Sequence, residues 1–206
     1  TSSPSMLADV AGDYLICLTV TDSESCPSEP DCLTLTVKPQ VSLHLELTWD
    51  TTSSDLDLHY RAPGGTFYDS YPSCGSTSSD VYWCSSNPDW GSGGLGVPDG
   101  ISANDPVLDV DNVIGYGPEN INQDMLLNSA LMQTVGVHYW LDSGGGITNA
   151  RVRIYVDGEL ELEAVQAMSG PQFWEVADIY VSNDGTDVQI TPLSGFIYDL
   201  YTPSGY

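Results

Sequence analysis

The sequence predicts an all-β fold, an antiparallel β-sandwich of immunoglobulin or jelly-roll type. Residues 41–49 (VSLHLELTW) alternate strictly between apolar and polar, the two-residue period of a strand with one face in a core. Shorter runs of the same kind recur towards the C-terminus, separated by Gly-, Pro- and Asp-rich turns; about eight or nine such strands fit between residues 41 and 206. Only residues 122–133 (NQDMLLNSALMQ) carry an apolar stripe compatible with a helix. Strand signals on both sides favour a strand ending near Leu127 and then a turn.

Residues 1–40 are expected to form a small separate unit. Ile16, Leu18 and Val20 alternate on one face of a first strand, residues 33–37 (LTLTV) alternate again, and a polar loop over residues 22–31 joins them into a β-hairpin. A lone hairpin is marginal in water. Either the chain is cut from a longer protein, or the hairpin adds to another sheet, in its own chain or a neighbour's. The second arrangement would build dimers or fibres. Lys38-Pro39-Gln40 reads as the linker.

In the main unit, residues 41–206, Val41, Leu43, Leu45, Leu47 and Trp49 are expected to face the core, with His44 and Glu46 outward. Over residues 55–60, Leu56, Leu58 and Tyr60 point in and Asp55, Asp57 and His59 point out. Residues 62–104 are mostly turn chemistry, and a loop of that length needs pins. A Cys74–Cys84 bridge and a metal site are the obvious ones. Val135, Val137, Tyr139 and Leu141 mark the next inward face. For the hairpin that follows, a two-residue Asp157-Gly158 turn would set apolar residues opposite acidic ones. A three-residue turn, Val156-Asp157-Gly158, is therefore expected; it pairs Ile154 with Leu160, Val152 with Leu162, Arg153 with Glu161 and Arg151 with Glu163. Strands at residues 173–181, 188–191 and 196–201 complete the sandwich.

Charge limits the partners. The chain has 29 acidic and 4 basic residues, a formal net charge of −25, so repulsion argues against nucleic acid and anionic membranes. The acids are 21 Asp and 8 Glu. An Asp excess suits turns and hard-cation ligands; an acidic surface adapted to salt water would give the same total. No apolar run approaches the roughly 20 residues of a membrane helix. No signal peptide is visible at Thr1, so a secreted protein would have lost its signal or carry it upstream. Five cysteines are present and none has metal-ligand or redox spacing. Cys26 and Cys32 bracket one loop, Cys74 and Cys84 another, and two local disulfides are expected, with an oxidising, extracytoplasmic location. Cys17 is then a free thiol or pairs outside this chain.

The candidate site lies in two acidic stretches. Asp55 and Asp57, with Asp50 nearby, sit in one; Asp109, Asp111 and Glu119 sit in the other, among glycines. Carboxylates on adjacent strands repel unless a cation neutralises them. An oxygen-only set of this size suits Ca2+ rather than Mg2+ or Zn2+; the alternative is a scatter of solvated loop acids. Tyr71, Tyr82, Trp83 and Trp90 cluster in the long loop. They could stack on the sugar rings of a glycan, pack beneath the loop as a satellite core, or sit in a subunit interface. His44, His59 and His138 fall on outward strand positions and read as surface or cross-strand polar residues, with a His–His metal site open if the strands are neighbours. A glycosidase pair of acids is not supported, because the acids lie in polar loops, and no G-x-S-x-G or H-E-x-x-H motif is present. A non-enzyme is expected.

The blocks LTWDTTSSDLDLHYRAPGG, DVYWCSSNPDWG and NDPVLDVDNVIGYGPENI, followed by VGVHYWLDSGGGITNARVRIYVDGEL, resemble a YfaP-like family of secreted bacterial β-sandwich domains over roughly residues 43–181. AGDYLICLTVTDSESCPSEPDCLTLTV resembles the last two strands of a PKD-type, immunoglobulin-like domain, most of whose sandwich would be missing. The resemblance implies fold and a secreted or cell-surface location beside adhesion modules, more than an activity; the metal ligands are inferred from the residues themselves. Together these readings give an extracellular structural or adhesive protein, stabilised by calcium and self-associating into a surface filament through its hairpin. A carbohydrate-binding module or a non-catalytic appendage of a secreted hydrolase is the alternative.

Overall fold

The structure is a computed structural model that describes residues 3–91, 99–127, 129–193 and 197–199. The chain divides into two compact units, Thr1–Pro39 and Gln40–Tyr206.

The first unit is a hairpin of β1 (Gly12–Leu18) and β2 (Asp31–Val37), with Tyr14 opposite Leu35 and Ile16 opposite Leu33. Its apolar side chains are largely open to solvent: Leu15 is 71% exposed and Leu33 58%. The register corrects the expected disulfide. Cys17 stands directly opposite Cys32, their Cα atoms 4.1 Å apart, and these two are bonded. Cys26 is a free, exposed thiol in the connecting loop, where its backbone N–H donates to Asp22 Oδ1. Proximity along the chain favours Cys26–Cys32, but the antiparallel ladder presents Cys17 across the hairpin.

The second unit contains, in chain order, β3 (Leu43–Trp49), β4 (Ser54–Arg61), β5 (Asp80–Val81), β6 (Val107–Leu108), β7 (Glu119–Gln123), β8 (Met132–Asp142), β9 (Thr148–Val156), β10 (Glu159–Met168), β11 (Gln172–Val181), β12 (Val188–Pro192) and β13 (Ile197–Asp199). One sheet runs β10-β9-β3-β7-β6. The other runs β12-β11-β8-β4-β5, with β13 also on β11. All pairings are antiparallel, and the sheets pack face to face as the predicted sandwich. The count exceeds the eight or nine expected because β5 and β6 are two-residue strands inside turn-rich sequence. Of the last expected strand, residues 196, 200 and 201 lie outside the described residues.

The core is largely the one the alternation calls for: Leu43, Leu45, Leu47 and Trp49 from β3, Leu56, Leu58 and Tyr60 from β4, Val135, Val137 and Tyr139 from β8, and Val152 and Ile154 from β9, whereas Val41, ahead of β3, is only half-buried. Burying each aliphatic side chain contributes roughly 1.5–3 kcal/mol. Leu141 departs from the pattern and is exposed. Asp55 pairs with Leu141 and Leu56 with Tyr139, so Trp140 is an extra residue that moves Leu141 to the other face. Strand β7 ends at Gln123, short of Leu127; among the described residues the only helical turn is Ser102–Asn104.

The β9–β10 hairpin corrects a register. Asp157 and Gly158 both have positive φ, 48° and 79°, and close a two-residue turn that pairs Val156 with Glu159. The mismatch this creates is removed one step later by a bulge at Glu161, after which Leu162 faces Ile154 and Ala164 faces Val152. Leu160 stays exposed. Arg151 and Arg153 converge on Glu163, at 2.6 and 2.7 Å, and Arg153 also reaches the buried Glu46 at 3.2 Å.

The outer faces are not solvated as the alternation suggested. On the first sheet, His44 and Glu46 are buried; His44 bonds Asn122 on the neighbouring strand at 2.6 Å. On the second, residues 62–79 fold over β4 and β8. Phe67 packs on Phe173, and Tyr68 packs on both His59 and His138. Asp57, His59 and His138 are therefore interior residues on the outward side of a strand pair.

Candidate functional site

Strand β4 pairs with β8 along its length but with β5 only at Tyr60 and Arg61. Its other edge is open before Tyr60, which leaves backbone donors without ladder partners. Glu119, at the start of β7, takes one of them: Leu58 N–H donates to Glu119 Oε2 at 2.7 Å, and Asn112 N–H donates to Oε1 at 3.1 Å. One carboxylate thus ties the strand edge to residues 109–118. That segment is held down by Gly115 N–H to the Thr52 carbonyl at 3.2 Å and Trp49 N–H to the Tyr116 carbonyl at 3.1 Å. Gly117, at φ 80°, allows the close approach, since a Cβ there would lie 2.8 Å from the Leu47 carbonyl oxygen.

This folding brings Asp111 to Asp57 and Glu119, with one carboxylate oxygen from each within 4.8 Å of the others. Asp55 lies beside them. Asp55, Asp57 and Asp111, with Val113, Trp83 and Trp140, line an open cavity of about 210 Å³. Burial pushes the carboxyl of Asp55 up to about 7, and the charge of Asp111 adds to it. Burial raises Asp57 well above the carboxylate range, and Glu119, Asp55 and Asp111 raise it further. Glu119 is raised well above its usual value by burial, against the lowering effect of its two backbone N–H bonds. Asp111 is raised by burial. Asp57 Oδ2 and Asp55 Oδ1 are buried without a hydrogen-bond partner. Buried carboxylate oxygens with negative neighbours and no donors are costly unless they are protonated or bound to a cation. The donor set is all oxygen, which fits a hard divalent ion.

Two expected ligands lie elsewhere. Asp50 accepts from Asn149 N at 2.8 Å, Asn149 Nδ2 at 2.6 Å and Thr148 Oγ1 at 3.0 Å, and these bonds lower its pKa. It anchors the start of β9. Asp109 accepts from the Asn122 side chain, next to His44, while its backbone N–H donates to the Asn120 carbonyl at 2.9 Å. In an extended strand the Asp109-x-Asp111 spacing would put both carboxylates on one side. Strand β6 ends at Leu108, so the chain leaves β7 between the two aspartates and only Asp111 reaches β4.

The loop aromatics divide. Trp90 is fully buried against Tyr60, ring centroids 5.1 Å apart, with Nε1 donating to the Ser78 carbonyl at 3.1 Å. Tyr82 is fully buried and stacked on His59 at 5.0 Å. Neither can offer a face to a glycan; they are the satellite core under the loop. Tyr71 and Trp83 are half-buried and pack with Trp140, which the sequence reading passed over. The second expected disulfide, Cys74–Cys84, is present in this loop.

Beneath the carboxylates lies a histidine layer that sequence reasoning placed on the surface. Asp57 faces His138 across β4–β8, and His59 faces Gly136. The missing side chain at Gly136 admits the ring of Phe173, whose Cζ lies 2.5 Å from where a Cβ would be. His59 Nδ1 bonds Asp80 Oδ2 at 2.8 Å and Nε2 bonds the Tyr68 hydroxyl at 3.1 Å; the same hydroxyl bonds His138 Nδ1. Burial lowers the His138 pKa to about 3 and nearby His59 contributes, so its ring is neutral. The Asp57-x-His59 and His138-x-Trp140 spacings were the available signals; the pairing of β4 with β8 was not.

Fold and site together define an all-β sandwich with an acidic cavity over a buried histidine pair. No family model matches the chain, and neither curated proteins nor solved structures return a match. Two disulfides indicate an oxidising environment. Among the described residues no helix is long and apolar enough to cross a membrane.

Proposed function

We propose that the main unit is a divalent-cation-binding module of a secreted or cell-surface protein, with Ca2+ held by Asp55, Asp57, Asp111 and Glu119, and that its role is structural or adhesive. The observation that carries this reading is the pair of buried, unpartnered oxygens, Asp57 Oδ2 and Asp55 Oδ1, among acids that raise one another's pKa. A cation replaces this repulsion with attraction and ties β4, β7 and residues 109–118 together. All four acids shift in the same direction. A two-carboxylate glycosidase would instead need one acid kept ionised beside one kept protonated, and the reading is non-catalytic.

The disulfides support an extracytoplasmic location. The exposed apolar side chains of the hairpin support self-association by strand addition into a filament. A calcium-dependent glycan site is the second reading, favoured by Trp83 and Trp140 beside the acids. Thermal unfolding with Ca2+ and with EDTA tests the main proposal: calcium should raise the midpoint and EDTA should lower it, and identical curves would overturn it. Retention on a polysaccharide resin in calcium, lost in Trp140→Ala, would support the glycan reading; no retention on any polymer tested would remove it.

A further inference from the structure

We propose a second cation site on the closed side of Asp57, built from Asp57, His59 and His138 and suited to a borderline transition-metal ion such as Zn2+. One donor atom from each of these residues lies within 4.8 Å of the other two, close enough for side-chain rotation to gather them on one ion. Their positions follow from the ladder. Asp57 and His138 are opposed residues, and His59 is two residues from Asp57 on the same face. All three are buried.

Proton bookkeeping on the buried network points to a ligand. In the neutral imidazole, the form that ligates a metal ion, donation from His59 Nδ1–H to Asp80 leaves Nε2 as a lone pair. Tyr68 has a single hydroxyl proton, and it donates this to His59 Nε2. The remaining Tyr68–His138 bond is then donated by His138 Nδ1–H to the phenol oxygen. His138 Nε2 is left as a bare lone pair without a partner in a residue with 0% exposure. On the opposed strand, Asp57 Oδ2 is also buried and unpartnered. A nitrogen lone pair and a carboxylate oxygen on opposed residues, both desolvated and lacking donors, are relieved by a shared proton or by a metal ion, and the third donor, His59, within the same 4.8 Å favours the metal ion.

The surroundings match a metal site as well. Asp80 orients His59 through Nδ1, the carboxylate–histidine support common behind metal-bound imidazoles, so an ion would take Nε2 in place of the Tyr68 hydroxyl that bonds it in the ion-free protein. Asp80 is itself held by Tyr68 N–H at 2.9 Å. Phe67, Phe173 and Tyr82 pack around His59 and keep its neighbourhood apolar. Two nitrogens and one oxygen select Zn2+ or a similar ion over Ca2+. The site shares only Asp57 with the outer acids, so Asp57 would bridge a hard ion on the open side and a softer one on the closed side.

The test uses the chelator-stripped full chain titrated with Co2+, a visible stand-in for Zn2+, and then with Zn2+ as competitor. Calcium-induced thermal shifts are read on the same samples. The expected result is saturable Co2+ uptake displaced by Zn2+, lost in His59→Gln and His138→Gln, and unchanged in His44→Gln, which removes the one histidine outside the site. Asp80→Asn should weaken uptake by about 10–100-fold. Asp111→Asn should lose the calcium shift but keep Co2+. His138→Gln should lose Co2+ but keep the calcium shift, which also shows that it folds. The proposal is overturned by no Co2+ uptake in the wild type, by equal uptake in the His59→Gln/His138→Gln double variant, or by loss of Co2+ in Asp111→Asn, which would merge the two sites. Co2+ uptake without any calcium response would remove the outer calcium ion and leave this site standing.

Discussion

Asp57 and His138 stand opposite each other across the β4–β8 ladder, at 2% and 0% exposure, and neither Asp57 Oδ2 nor His138 Nε2 has a hydrogen-bond partner. This pair joins the two halves of the site. On one side are acids around an open cavity; on the other is a histidine layer sealed by aromatic rings. Polar side chains occupy the outward face of a strand, as the alternation requires, but the long loop turns that face into a second interior.

Asp111 is the acid that residues 109–118 deliver to the β4 edge, and it adds negative charge to Asp55, Asp57 and Glu119. In EDTA, Asp111→Asn should therefore unfold at the same temperature as the wild type or a higher one. In calcium it should fall below the wild type. The wild type gains about 2.7 kcal/mol when calcium is a hundredfold above its Kd, and the variant should gain little. Paired melting curves with and without calcium check this; a full calcium shift in Asp111→Asn would contradict the assignment of that ligand.

Asp55 supplies a pH dependence. Its folded-state carboxyl is raised from 3.8 to about 7, mainly by burial. The cation-free folded protein thus binds this proton more tightly than the unfolded chain. The proton's contribution is fully present at low pH and is lost as pH rises from 3.8 through about 7. Asp55→Asn lacks this loss. Urea unfolding in EDTA at pH 4 and pH 8 should show the variant gaining on the wild type as pH rises. A difference independent of pH would contradict the shift. Calcium should narrow the gap, because the ion displaces the proton.

Trp90 belongs to the core, under the long loop. Trp90→Ala should cost about 3–5 kcal/mol, as buried aromatic truncations do. Trp83→Ala, at a half-buried position on the cavity wall, should cost less. Chemical denaturation of both variants decides the matter, and a neutral Trp90→Ala would mean that the loop is not anchored as described.

The cysteine pairing predicts a specific peptide map. Non-reducing digestion should yield Cys17–Cys32 and Cys74–Cys84 peptides, and alkylation of the native protein should label Cys26. Loss of the Cys17–Cys32 link, which spans 15 residues, should destabilise the hairpin unit by about 3 kcal/mol on a chain-entropy estimate. A Cys26–Cys32 peptide would contradict the hairpin register.

The sandwich was readable because its core strands obey a local rule. Leu43, Leu45 and Leu47, or Val135 and Val137, declare their inward face within a few residues. The bulges at Trp140 and Glu161 were not readable, since a single inserted residue changes facing only relative to a partner strand. The β9–β10 turn shows the same limit: Asp157-Gly158 is a strong two-residue turn signal, but the bulge that reconciles it with the apolar register is visible only in the paired structure. In the site, Asp55, Asp57, Asp111 and Glu119 stood out by residue type and spacing. Asp109 and Asp50 looked equivalent and are not, because the path of the chain after Leu108 and the capping of β9 are tertiary facts. The histidines were assigned to solvent because alternation gives a side of the strand, not what covers that side.

The central claim is that the carboxylates around Asp57 bind a cation. Isothermal titration of the chelator-treated full chain with Ca2+ tests it most directly, with Asp57→Asn alongside. The account predicts saturable binding to the wild type, weakening as pH falls towards the carboxyl range, and its loss in Asp57→Asn. No binding to the wild type at millimolar calcium, or equal binding to Asp57→Asn, would contradict it.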